Sequence, residues 1–120
     1  PEPTAAPPLL EMDEDQPDRV VVAGRPVRVT LTQFRLLWRI AQEPGVFVRY
    51  RPLISYLFGP EEYEGPHQVY PHVSRLRTKL REAAGEAAQG WLVTLRGVGV
   101  KLDLDRSRVR LRASASCASA

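Results

Sequence analysis

The segment from Thr30 to Ala41 leaves this chain little freedom in how it folds. Phe34, Leu37, Trp38 and Ala41 recur at i, i+3, i+4 and i+7, and Leu36 and Ile40 widen the apolar arc. Only Arg35, Arg39 and Gln42 form a polar stripe. A helix that is apolar around most of its circumference must be covered on several sides, so the remaining elements have to wrap it. Thr30 and Gln33 stand at the spacing of a capping box, where each side chain satisfies a backbone N–H of the first turn. Pro44-Gly45 ends the helix.

The flanking segments read as short strands and two further helices. Arg19–Ala23 is valine-rich, Gly24 supplies a turn, and Val27 and Val29 alternate in Pro26–Val29, with Leu9–Met12 as a weaker strand ahead of them. Val46-Phe47-Val48 has room for one strand only. Leu53, Ile54, Leu57 and Phe58 give a two-turn amphipathic helix ended by Gly59-Pro60. A third helix is expected from about Val69 to Ala84, with Val69, Val73, Leu76 and Leu80 as its buried seam. Trp91–Leu95 and Val100–Leu104 flank Arg96-Gly97-Val98-Gly99 as a hairpin whose glycines permit a tight turn. The order of strands, helix, strand, helix, helix and hairpin predicts an α+β winged helix-turn-helix: three helices, a small N-terminal antiparallel sheet and a C-terminal β-hairpin wing.

Charge is divided unevenly along the chain. Residues 1–18 hold six acids and no Lys or Arg, whereas residues 19–120 hold all 17 Lys and Arg against eight acids. A body of charge +9 behind an acidic leader suggests a polyanionic partner. Residues 1–8, with four prolines, read as a disordered leader, residues 9–105 as the domain, and residues 106–120 as a basic, then Ser/Ala-rich mobile tail. No run approaches the roughly 20 apolar residues of a membrane span, and the acidic N-terminus is unlike a signal peptide. The lone Cys117 has no disulfide partner within the chain. A bacterial cytoplasmic location beside the nucleoid is therefore expected, with no membrane partner.

The third helix carries the functional argument. At about 100° per residue from the apolar seam, Pro71, Ser74, Arg75 and Thr78 point most directly outward. His72, Lys79 and Arg81 lie on the flanks of that face, and Arg77 sits nearer the core edge. Such a helix fits the major groove of a duplex, where an Arg fork can bond guanine O6 and N7 together and small hydroxyl residues allow close approach. Arg77, Lys79 and Arg81 are expected to reach phosphates. A basic run of this kind is usually a solvated face; its place between a short helix and a Gly-rich basic hairpin favours nucleic acid.

The run Thr30-Leu31-Thr32-Gln33-Phe34-Arg35-Leu36-Leu37, then Pro44-Gly45, Val69, His72 through Leu80, and Thr94-Leu95-Arg96-Gly97-Val98-Gly99 resembles the DNA-binding domain of OmpR/PhoB-type response regulators. The resemblance implies that the third helix enters the major groove and the wing the adjacent minor groove of double-stranded DNA. By position it implies Ser74 and Arg75 near bases, His72 and Arg77 near phosphates, Thr94 at the backbone and Arg96 in the minor groove. It further suggests a homodimer on tandem direct repeats, and a contact with RNA polymerase through loop 59–65, where Glu61, Glu62, Tyr63 and Glu64 lie. The bland reading of that loop is a solvated turn whose acids avoid DNA. The sequence departs from the family at Arg49 and Tyr50, where the family usually has a capping Ser or Thr and then Arg. Further departures are Tyr70-Pro71, in place of Asp and Val, and Gly99-Val100, in place of Gly-Tyr. Pro71 is tolerable only in a first helical turn, so the third helix is expected to begin near Tyr70 or to kink.

Arg106, Arg108, Arg110 and Arg112 alternate with Ser107, Val109 and Leu111, so an extended segment here would carry four charges on one face. Pairing with the wing, lying along phosphates and remaining a mobile tail are all open readings. The roughly 120 residues of a phosphoacceptor receiver domain are not in this sequence. The chain therefore reads either as an excised effector domain or as a regulator that works without phosphorylation. Enzymatic motifs are missing: there is no nucleophile elbow and no Walker loop, and Gly97-Val98-Gly99 lacks the third glycine and following helix of a dinucleotide site. His67 and His72, five apart, lack the neighbours of a zinc site. The chain is expected to be a sequence-specific DNA-binding transcription regulator with no cofactor, no metal and no catalytic activity. The competing expectation is a winged helix repurposed to grip another protein.

Overall fold

The computed structural model describes residues 8–113, so Pro1–Pro7 of the expected leader and the end of the expected tail, Ser114–Ala120 with Cys117, lie outside the described residues. At the centre stands helix α1, Leu31–Ala41. Both halves of its capping box form: Thr30 Oγ1 accepts from the Gln33 backbone N–H at 3.1 Å, and Gln33 Oε1 accepts from the Thr30 N–H at 3.0 Å. Phe34, Leu36, Leu37, Trp38, Ile40 and Ala41 are all buried, with the Phe34 and Trp38 rings stacked at 5.7 Å. The near-complete apolar circumference is thus used on every side, as it has to be.

Three antiparallel strands precede α1: β1, Leu10–Asp13, β2, Arg19–Val22, and β3, Arg25–Arg28. β1 and β2 alternate, turning Leu10, Met12, Val20 and Val22 into the core. After α1 comes β4, Val48–Arg49, shorter and later than the Val46–Val48 strand expected, and then α2, Tyr50–Phe58. Pro52 falls in the first turn of α2, where its missing N–H costs nothing. A 3-10 turn over Pro66–Gln68 leads into α3, Tyr70–Ala84, one residue inside the expected start, with Pro71 again in the first turn and no kink required. The expected seam is inside: Val69, Val73, Leu76 and Leu80 are at most 2% exposed. A second 3-10 turn, Glu86–Gly90, was not legible as an element; it buries Ala88 before the hairpin of β5, Leu92–Leu95, and β6, Gly99–Leu102.

The two glycines of the hairpin act for different reasons. Gly97, at φ +80°, takes the left-handed position of a turn closed by the Val98 N–H donating to Leu95 O at 3.0 Å. Gly99 is there for space: a Cβ on it would run into the carbonyl of Val48, because β4 crosses β6 closely through the pairs Val48↔Val100 and Arg49↔Gly99.

Where a mobile tail was expected from 106, the chain instead makes a 3-10 turn, Arg106–Arg108, and a strand β7, Val109–Arg112, parallel to β1. The N-terminal sheet therefore has four strands in the order β3-β2-β1-β7, and the expected domain end at 105 falls inside the folded unit. The pairing has a plain cause. Val109 and Leu111 face the core cluster, while Arg110 and Arg112 meet Glu11 and Asp13 at 3.8 and 3.6 Å. β7 joins the sheet rather than the wing, and both of its arginines are engaged with the acids of β1.

Candidate nucleic-acid interface

α3 and the wing share one corner of the molecule. Tyr70, Val73, Ser74 and Arg77 of α3 and Thr94 of β5 line a single cleft of about 310 Å3. Ser74, Arg75, Thr78 and Arg81 are exposed on α3, as are Thr94 and Arg96 on the hairpin. Arg75, Arg81 and Arg96 have no hydrogen bond or ion pair among the described residues, so their charge is available to a ligand. Thr78 is occupied locally, its Oγ1 donating to the Ser74 carbonyl one turn back at 3.1 Å.

Two of the residues expected to reach phosphate are turned elsewhere. Arg77 Nη2 donates to the carbonyl of Leu92 at 2.7 Å, tying α3 to the root of the wing. Lys79 Nζ donates to Arg28 O at 3.0 Å and to Gln33 Oε1 at 2.8 Å, tying the same helix to β3 and to the start of α1. Both side chains are half-buried. The physical reason is acceptor availability. Leu92 lies on β5 and Arg28 on β3, each an edge strand, and edge carbonyls turned away from the ladder need donors.

His72 is half-buried against Phe58, ring centroids 5.9 Å apart. Burial holds its imidazole below the ordinary 6.5, and the nearby charge of Arg75 adds to this. Tyr70, absent from the expected set, lines the cleft and packs edge-on against buried Tyr50 at 6.0 Å. Burial, followed by the adjacent Tyr70 hydroxyl, pushes the Tyr50 phenol up to about 12, so it stays neutral.

The loop between α2 and α3 is not loose. Gln68 Oε1 accepts from Glu64 N at 2.6 Å and Gly65 N at 3.2 Å, while its Nε2 donates to Glu62 O at 2.8 Å. The Arg51 guanidinium lies 4.0 Å from the centre of the Tyr63 ring. Glu61, Glu62 and Glu64 are left exposed on a braced loop. The brace that Gln68 makes, accepting twice and donating once, has no signature in the sequence, because only the folded loop brings three backbone groups within its reach.

Residues 24–102 match the family described as transcriptional regulatory protein, C terminal. The chain belongs to that family. It is a family of regulators, not of enzymes, and the OmpR/PhoB-type resemblance is correct. Among curated relatives, the transcriptional regulatory protein ResD of Bacillus subtilis is 33% identical over 94 residues, covering 78% of this chain and 38% of that protein. The chain thus spans about two fifths of the length of that relative. Among solved structures, the DNA-binding domain of the response regulator AdeR, in complex with an intercistronic region, superimposes with a TM-score of 0.67 at 26% identity, covering 81% of this chain and 96% of that one. The DNA-binding domain of CpxR from E. coli gives 0.60 at 27%, covering 81% and 85%. The winged helix-turn-helix fold expected from the sequence is therefore the fold of this family member. Strands β1, β2 and β7 lie outside the residues matched to the family. No helix among the described residues is long and apolar enough to cross a membrane.

Proposed function

We propose that this chain binds double-stranded DNA sequence-specifically, with α3 in the major groove and the wing in the adjacent minor groove, as part of a bacterial transcription regulator in the cytoplasm. The observation that carries the reading is the shared corner. Ser74 of α3 and Thr94 of the hairpin line one cleft, Arg75 and Arg96 are exposed on the same two elements, and neither arginine has an ion-pair partner among the described residues. Ser74 and Arg75 read base edges, Arg96 senses minor-groove width, and Arg81 and Thr94 meet the sugar-phosphate backbone. His72, close to the surface and neutral, donates its ring N–H to a phosphate oxygen. Family membership and the DNA-bound AdeR neighbour support DNA over a protein partner for this corner.

The braced acidic loop 59–65 is the surface offered to RNA polymerase, since its three exposed glutamates suit a basic partner and would be repelled by DNA. Two copies on a tandem direct repeat is the assembly we propose on the DNA.

The test is a titration of cognate and random duplex at several salt concentrations. Arg75→Ala is expected to cost about 1–3 kcal/mol on the cognate site and to relax preference at one base pair, with random DNA little affected. Equal weakening on both duplexes would remove Arg75 from the bases.

A further inference from the structure

Four basic residues of α3 face away from its seam or flank it, yet they divide into two kinds. Arg75 and Arg81 project freely, while Arg77 and Lys79 each end on a backbone carbonyl of another element. Arg77 is the more telling. In the β5–β6 ladder the Asp103 N–H donates to Trp91 O at 2.7 Å, so alternation leaves the Leu92 carbonyl on the outer side of β5. Among the described residues that strand pairs only with β6, and the Arg77 guanidinium supplies a donor to its other edge. Lys79 makes the corresponding bond at the other flank of the helix, on the free edge of β3.

We infer that Arg77 is a positioning residue that locks the wing to α3 and so sets the separation at which Arg75 and Arg96 can engage one duplex together. Lys79 anchors the helix from its opposite flank. The lever explains why this matters. Leu92 and Arg96 are four residues apart, about 13 Å of strand at about 3.3 Å per residue. A rocking of roughly 10° about Leu92 moves the turn by about 2 Å, and a hydrogen bond does not survive that displacement. With the lock in place Arg96 arrives in a minor groove already aligned with what Arg75 reads; without it, the wing samples positions and the discrimination it adds is lost. Arg77 keeps its charge, but its guanidinium is held on the Leu92 carbonyl rather than free to close on a phosphate, so the lock predicts little change in counterion release when it is lost.

This inference rests on the DNA-binding reading above, and the two fail differently. If the unaltered chain binds no duplex, both fall. If it binds, the discriminating experiment compares the chain with Arg77→Met, which keeps the apolar stem and removes the donor, on a selected cognate duplex and on random duplex across a salt series. The expected result is an unchanged slope of log K against log salt on random DNA, with the cognate-to-random ratio falling about tenfold. In Arg96→Ala, adding Arg77→Met is expected to cost little more, because the wing contact it positions is already gone. A slope reduced by about one unit, or additive losses in the double variant, overturns the inference in favour of a phosphate contact. Should Arg77→Met unfold, nuclear magnetic resonance of the unaltered chain decides instead. The Arg77 guanidinium hydrogens are expected to exchange slowly with water and to keep their shifts when random duplex is added. Fast exchange or a large shift overturns the lock.

Discussion

Replacing Gly99 by alanine tests whether the wing and α2 are held together by a close approach of backbones. An added Cβ would meet the carbonyl of Val48 and lie 3.0 Å from Arg49 Cα. Neither atom belongs to a flexible side chain, so relief requires β4 to move off β6. β4 is two residues long and, among the described residues, pairs only with β6, so the move forfeits its whole ladder, Val48↔Val100 and Arg49↔Gly99. It also strains the bond from the Tyr50 N–H to Val98 O, now 3.3 Å, at the start of α2. At about 1 kcal/mol net per backbone hydrogen bond, the expected loss is roughly 2–4 kcal/mol. That is a large share of the ~5–15 kcal/mol available to a domain of this size. By thermal or urea denaturation followed by circular dichroism, the midpoint should fall by roughly 10 °C or more. Gly97 in the same motif is the control. It has φ +80° and open space where a Cβ would stand, with nothing within 4 Å, so Gly97→Ala should cost only the ~1–2 kcal/mol of left-handed backbone. Gly97→Asn should recover much of that, since asparagine tolerates this conformation, while Gly99→Asn should be worse than Gly99→Ala. A Gly99→Ala chain melting within about 2 °C of the parent would refute the steric account.

Leu111→Asp is expected to destabilise the domain by about 1–3 kcal/mol, because it places a charge where β7 meets the core; a variant as stable as its parent would mean the strand is not docked. His72 gives a pH signature whose sign follows from its lowered folded-state pKa. The unfolded chain takes up the proton first, so the contribution of His72 to stability is whole above 6.5 and declines as pH falls through that value toward the folded pKa. Denaturation of the parent and of His72→Gln between about pH 8 and pH 5 should show the parent losing stability faster on acidification; parallel curves would contradict the burial against Phe58.

Much of this molecule was open to reading without coordinates, and the elements that were share a property. The capping box at Thr30 and Gln33, the seam of Val69, Val73, Leu76 and Leu80, and the alternation of Val27 and Val29 are patterns within a few residues, created by backbone geometry that repeats every two or 3.6 residues. The face opposite such a seam follows from it, which is why Ser74, Arg75 and Arg81 emerged exposed. The family's residues from Thr94 to Gly99 likewise form a single local turn.

The fate of long cations belongs to tertiary structure. Arg77 and Lys79 point where helical geometry sends their Cβ atoms, but each has a stem long enough to choose among acceptors, and the acceptors come from residues 15, 46 and 51 positions away in the chain. The same holds for Arg110 and Arg112. Their alternation with Val109 and Leu111 left a strand and a mobile tail both open, and nothing local named β1 as a neighbour rather than the wing or a phosphate backbone. Periodicity determined which residues would be inside and which would carry charge outward; only the assembled fold, by leaving particular edge carbonyls and carboxylates within reach, decided which of those charges remained for DNA.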